Sequence, residues 1–272
     1  MSGFTAAWLA MREPADVAAR AVEVTNTVLG ALVGRASITA VDLGSGTGSN
    51  VRYLAPRLPT CQWRLVDNDA DLLAVAQTTL PGAASSTIET RVGDLRSLDA
   101  NALDGCALVT ASALLDLVSE SWLAHLVSLA RGARCHVLMA LNYDGRIVCT
   151  PPDKDDDLVR DLVNRHQRTD KGFGPALGPS AGDRAEALLQ AAGYDVCRAP
   201  SDWILDADHA ELQRQLIEGW AHAAIELAPD SAACIQSWRT RRLAHVSAGD
   251  SHLVVGHDDV GGTIPIGDLA SW

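Results

Sequence analysis

The stretch TAVDLGSGTGSNVR, residues 39–52, constrains the fold more than any other part of the chain. A β-rich run over residues 38–43 leads into three glycines at alternate positions, Gly44, Gly46 and Gly48. Ser49 or Asn50 can cap a helix behind them. Glycines at this density let the backbone turn sharply and let a ligand approach with no Cβ in the way. The helix start that follows offers backbone N–H groups with no partner inside the helix.

The glycine spacing separates two ligand classes. A dinucleotide fingerprint reads G-x-G-x-x-G/A, and counting from Gly44 its sixth position holds Ser49. The pattern is instead D-x-G-x-G-x-G, with Asp42 two residues ahead of the first glycine. That carboxylate opposes a pyrophosphate and suits a cationic ligand. The stretch resembles motif I of the class I S-adenosylmethionine-dependent methyltransferases, whose ligand carries a sulfonium and an ammonium. The resemblance implies that Asp42, Gly44, Ser45, Gly46 and Gly48 border an S-adenosylmethionine site. A nicotinamide-dependent oxidoreductase is the less favoured alternative, because of Ser49.

Three further positions extend the resemblance. The run QWRLVD over residues 62–67 reads as a second strand ending in a carboxylate, one βαβ unit after Asp42. At the C-terminal edge of a parallel sheet, Asp67 faces the same crevice as the glycine loop and can accept both hydroxyls of a ribose, with Asn68 beside it. A third strand over residues 88–92 is followed by Asp94 and Leu95. The family places there an acidic residue for the exocyclic amine of adenine. The fourth strand, residues 107–111, ends in Thr110 and Ala111 and runs into Ser112, where the family lines the cofactor sulfur and the acceptor. The Trp-Leu-x-x-Arg-Glu-Pro run at residues 8–14 looks like a helical leader that folds over the cofactor. By analogy Arg12 meets the methionine carboxylate; a surface ion pair with Glu13 or Asp16 is the competing reading.

The chain alternates strand and helix up to a fifth strand over residues 134–141. A polar turn, Asn142 to Arg146, is expected after it at the ligand-facing edge. The family implies a Rossmann-like α/β fold: a seven-stranded, mostly parallel sheet in the order 3-2-1-4-5-7-6, helices on both faces and a helical cap. We expect one methyltransferase domain over residues 1–272. It divides into a leader (1–35), a cofactor-binding core (36–145) and cap insertions at 146–183 and 206–247. Pro14 is expected at a first helical turn. Leu158, Leu162 and His166 are spaced along one face of a helix. Phe173 lies between Gly172 and Gly174 in an irregular Gly/Pro segment and reads either as the apolar tip of a lid over the acceptor or as the one buried ring that pins a plain surface loop. Asn142, Tyr143 and Phe173 are therefore candidate acceptor contacts, and His166, Tyr143 and Asp116 candidate catalytic groups.

Composition narrows the partners. The chain has 272 residues, is 47% hydrophobic and carries a net charge of −12, so a nucleic-acid backbone is not the expected partner. No apolar run reaches the roughly 18 residues needed to span a bilayer. Residues 1–16 lack a basic segment ahead of an apolar one, so a cytoplasmic protein is expected. The six cysteines show no C-x-x-C and no metal-ligand spacing, and no metal site is expected. A small-molecule acceptor fits this acidic chain with a helical cap. A cofactor-binding regulator without turnover would have the same sequence features at the cofactor site.

Overall fold

The computed structural model describes residues 4–80 and 86–265. Its sheet has the strand order β3-β2-β1-β4-β5-β8-β6. The strands are β1 (Ser37–Leu43), β2 (Thr60–Asp67), β3 (Thr87–Val92), β4 (Leu108–Ser112), β5 (His136–Thr150), β6 (Asp195–Pro200) and β8 (His252–Thr263). The first five pair in parallel, and β8 runs antiparallel to its neighbours. This is the expected Rossmann-like order with the reversed last strand beside β5. A short additional strand, β7 (Trp203–Leu205), also pairs with β8, making eight strands where seven were expected.

Central strands bury both faces, which explains their near-continuous apolar runs. In β1, Val41 and Leu43 pack on one side of the sheet and Ile38 and Ala40 on the other. Helices α5 (Glu120–Gly132) and α7 (Ala181–Ala191) cover the first side. Helices α2 (Val22–Gly30), α3 (Ser49–Leu54) and α4 (Ala70–Thr79) cover the second. The leader α1 (Ala6–Ala19) runs through Pro14, contrary to expectation. It breaks at Arg20, where Arg20 Nε and Ala21 N both donate to the buried Asp259 carboxylate (3.2 and 3.1 Å). Helix α3 is capped by Gly48 rather than Ser49 or Asn50. Gly48 has φ +81°, and a Cβ there would sit 2.8 Å from Leu80 Cδ1, so glycine is required on both counts.

The largest departure lies beyond residue 141. Asn142 to Arg146 do not turn; β5 continues through them to Thr150, with register shifts against β8 at 139/142 and 143/147. The turn-like Asp144 and Gly145 sit in these irregularities. Arg146 closes them by pairing with Asp144 (2.6 Å) and Asp202 (2.7 Å). The extended parts of β5 and β8, with β7, form a platform for α6 (Asp156–Gln167), α8 (Ala210–Leu227) and α9 (Ala232–Ala248). The cap thus shares a core with the sheet: Tyr143, Ile147, Trp203 and Val255 pack with Leu162, Ile217, Trp220 and Trp238. Helix α6 is rotated from the expected face. Val159, Leu162 and Val163 are buried, while Leu158 is exposed.

Candidate functional site

The C-terminal ends of β1, β2 and β4 and the loop between β1 and α3 open onto a cavity of about 420 Å³. Open α/β sheets take ligands at this edge. Asp42, Gly44, Ser45, Gly46, Asp67, Asn68, Asp94, Leu95 and Ser112 all line it, with Arg12 from the leader and Phe173 from the loop after α6. Gly48, Thr110 and Ala111 do not. Gly48 shapes the loop from behind. The Thr110 hydroxyl donates to Leu138 O (2.8 Å) and accepts from Asn50 Nδ2 (3.1 Å), while Ala111 packs in the core.

The carboxylates are held in defined states. Asp42 Oδ1 accepts from Asn50 Nδ2 (2.7 Å), whose Oδ1 accepts from Arg20 Nη1 (2.7 Å). Asp42 Oδ2 is buried with no hydrogen-bond partner among the described residues. Burial pushes the Asp42 carboxyl up to about 7, against the Asn50 hydrogen bond and the Arg20 charge. Asp67 Oδ2 accepts from Gly46 N (2.7 Å) and Oδ1 from Asp69 N (2.9 Å). The carboxylate thereby ties the glycine loop to β2 and keeps lone pairs for further donors. Asp94 pairs with Arg96 and accepts from its N–H (2.9 Å), and these hydrogen bonds hold its carboxyl below the usual range.

The leader closes one side of the cavity with Phe4, Leu9, Arg12 and Asp16. Arg12 forms a two-point pair with Asp16 (2.9 and 3.1 Å) and stacks over Trp203 at 5.0 Å, so the competing ion-pair reading is realised within the cavity wall. Glu13 takes Arg52 instead (2.6 Å), and Arg52 also donates to Thr47 O in the glycine loop (2.7 Å).

Four expected positions fall elsewhere. Asn142 is buried and its amide donates to Met139 O and Asp258 O (both 2.9 Å), bridging β5 and β8 at the register shift. Tyr143 belongs to the cap core, its hydroxyl donating to Asn164 (2.7 Å); burial raises its pKa. His166 is half-buried beside Glu226 (2.8 Å) and stands behind the cavity wall, against the lining residue Lys171 (3.3 Å). Asp116 lies behind the wall, in the turn after β4. Phe173 does line the cavity, but at the end bordered by Leu95. Its ring meets Trp122 edge-on at 5.6 Å, and Trp122 Nε1 donates to Leu95 O (2.7 Å). Asp170 Oδ1 accepts from both Gly172 N (2.6 Å) and Gly174 N (3.0 Å), which makes the segment a tight turn.

Fold and cavity together define a doubly wound α/β protein with a cavity over the loop between β1 and α3. Residues 40–134 match the family model described as a methyltransferase domain. The match spans about a third of the chain and identifies this part as a methyltransferase domain. Among solved structures, a candidate methyltransferase from Bacillus halodurans C-125 is 13% identical with a TM-score of 0.50, covering 89% of this chain and 100% of that one. That likeness establishes the shared fold. YcgJ from Bacillus subtilis is 14% identical (TM-score 0.48), over 90% of this chain and 99% of that one. The cyclopropane synthase MmaA2 from Mycobacterium tuberculosis is 11% identical (TM-score 0.48), over 89% and 84%. No curated protein sequence matches the chain at a significant level.

Proposed function

We propose that this methyltransferase acts on a small-molecule acceptor, with Asp42, Asp67 and Asp94 reading three parts of the cofactor. The observation that carries the assignment is the partnerless, buried Oδ2 of Asp42 on the cavity wall. A cation completes it, and a cofactor with an ammonium and a sulfonium supplies one. Asp67, already fixed by two backbone N–H groups, takes the ribose hydroxyls. Asp94 takes the exocyclic amine of adenine, with Leu95 beside the base. When bound, the cofactor supplies a methyl group already activated by its positive sulfur. The chain's task is to hold the acceptor in line and to exclude water, which Phe4, Leu9 and Phe173 favour by closing the cavity. The small cavity and the acidic chain support a small acceptor over a polymer.

S-adenosylhomocysteine is expected to bind in calorimetry with a micromolar Kd, and NAD(P) not at all. Asp67→Ala should weaken that binding by roughly 1.5–3 kcal/mol, the scale for hydrogen bonds to a charged group. Unchanged affinity in the variant removes the ribose assignment. Phe173→Ala should weaken it by roughly 1 kcal/mol, because the ring braces Trp122 and through it Leu95. If only acceptor turnover suffers, Phe173 is an acceptor lid after all.

A further inference from the structure

Among the described residues, the cavity wall carries three basic side chains, Arg12, Arg96 and Lys171. Two of them are already neutralised. Arg12 pairs with Asp16 and Arg96 with Asp94. Lys171, from the loop after α6, pairs with no carboxylate among the described residues. Its ammonium donates to the ring Nδ1 of His166 (3.3 Å) and to the hydroxyl of Thr169 (3.0 Å). An ammonium has three N–H groups, so one is left over, on a half-buried residue that borders the cavity. Holding a cation partly out of water with no counter-charge beside it costs free energy.

The surroundings fix this ammonium in place. Because Lys171 donates to Nδ1 of His166, the ring proton resides on Nε2, which faces Glu226 Oε2 at 2.8 Å. Glu226 is held from its other side by His222 (3.1 Å). A chain of contacts thus runs from α8 through the end of α6 to the cavity wall. The backbone around Lys171 is fixed as well, by the Asp170 turn and by the Thr169 hydroxyl donating to His166 O (2.8 Å). Partial burial lowers the pKa of Lys171, and the Glu226 charge opposes that shift.

The cofactor does not account for the free N–H. Phe173, two residues on, reaches the end of the cavity bordered by Leu95, where the adenine is assigned. The cofactor's one anionic group, its carboxylate, belongs to the opposite end of that molecule, and its positive sulfur repels an ammonium.

We propose that Lys171 selects an acceptor that carries a carboxylate or phosphate group, and that His166 and Glu226 are positioning residues that hold its ammonium at the cavity. The inference rests on the methyltransferase reading above and adds the charge class of the acceptor. His166 then serves the site without touching the reacting atoms.

The test uses the whole chain saturated with S-adenosylhomocysteine and three probes of one size class: benzoate, phenyl phosphate and neutral benzamide. Wild type should bind the tighter of the two anions at least about tenfold better than benzamide, the scale of one charge-assisted hydrogen bond. Whichever anion it is identifies the acceptor's group as carboxylate or phosphate. A chain of net charge −12 repels anions as a whole, so this preference has a local origin. Lys171→Met should abolish the preference while benzamide and S-adenosylhomocysteine bind within about twofold of wild type. His166→Leu should weaken the anion about three- to tenfold and leave benzamide unchanged, because the anion must then immobilise a loose lysine. Equal loss of anion and neutral probe in that variant makes His166 a packing residue and overturns its role. No anion preference in wild type, or a preference that survives in Lys171→Met, overturns the proposal. So does a loss of S-adenosylhomocysteine affinity beyond about threefold in Lys171→Met, which would hand the ammonium to the cofactor carboxylate. Failure of wild type to bind S-adenosylhomocysteine overturns the methyltransferase reading instead.

Discussion

Replacing Gly46 by valine is expected to remove measurable S-adenosylhomocysteine binding while leaving the helical circular dichroism intact. Gly46 has φ +50°, a conformation that costs an ordinary L-residue about 1–2 kcal/mol and suits a β-branched one least. Its N–H donates to Asp67 Oδ2 at 2.7 Å, so any relaxation of the loop also disturbs the proposed ribose carboxylate. A Cβ at this position already lies 3.0 Å from Leu9 Cδ1 in the leader, before valine's two methyls are added. The three effects act on one ligand: the loop strains, Asp67 loses its anchor and the leader is pushed off the cavity. Affinity should fall by two orders of magnitude or more, about 3 kcal/mol. The melting temperature should drop only moderately, since both core layers lie behind the loop. A variant that binds within threefold of wild type would mean that the glycine loop is a structural turn and that the ligand sits elsewhere.

The parallel half of the fold was legible because its signals are local. Each strand is a short apolar run, and the first three end in or are followed by a carboxylate (Asp42, Asp67, Asp94), each one βαβ unit after the last. Asp42 and Asp67 needed nothing more than that spacing to be placed on one crevice, and both line it. Beyond residue 141 the signals become long-range. Asp144 and Gly145 have turn chemistry, yet it goes into a bulge, with Gly145 at φ +93°, because β8, more than a hundred residues later, pairs the chain on both sides of them. The leader break at Arg20 has the same character. Nothing nearby announces it, and its cause is the Asp259 carboxylate on β8.

The site divides along the same line. Residues that meet the ligand through the β1 loop or the strand ends could be read from motif and order. Residues that hold those residues could not. Asn50 reads as a helix cap, but its amide turns inward to bridge Arg20 and Asp42. Asp16 reads as a surface partner for Arg12, but it is buried and also accepts from Trp203 Nε1 (3.1 Å). His166 continues the expected stripe of Leu158 and Leu162, but α6 buries Val159, Leu162 and Val163, and His166 meets Glu226. A hydrophobic stripe with few members sets a helix face only loosely, and burial of Val159 and Val163 outweighs exposure of Leu158.

Asp42→Asn should produce opposite changes in stability and binding, and both should depend on pH. The Asp42 carboxyl is raised by burial to about 7, whereas in the unfolded chain it titrates near the ordinary aspartate value of 3.8. The folded state therefore holds the proton more tightly, and this contribution to stability is complete below about pH 4. It is lost as pH rises through 7. Asparagine does not titrate, and its side-chain oxygen can still accept from Asn50. The stability of the variant relative to wild type should thus grow between pH 4 and 7 and then level off, at up to about 4 kcal/mol. Buried His257 and His136, held neutral down to about 3 and about 4 by desolvation, act in the other direction. They are common to both proteins and cancel in the comparison. Binding should move the opposite way. Wild-type affinity for S-adenosylhomocysteine should rise about tenfold per pH unit up to pH 7, because the carboxylate must be ionised to meet the ammonium. The variant should lose that slope and bind at least about 100-fold more weakly at pH 8. Denaturant unfolding and calorimetry over pH 5–8 check both halves. A variant that is less stable than wild type at pH 8, or that binds with an unchanged pH slope, would show that Asp42 serves the loop and not the ligand.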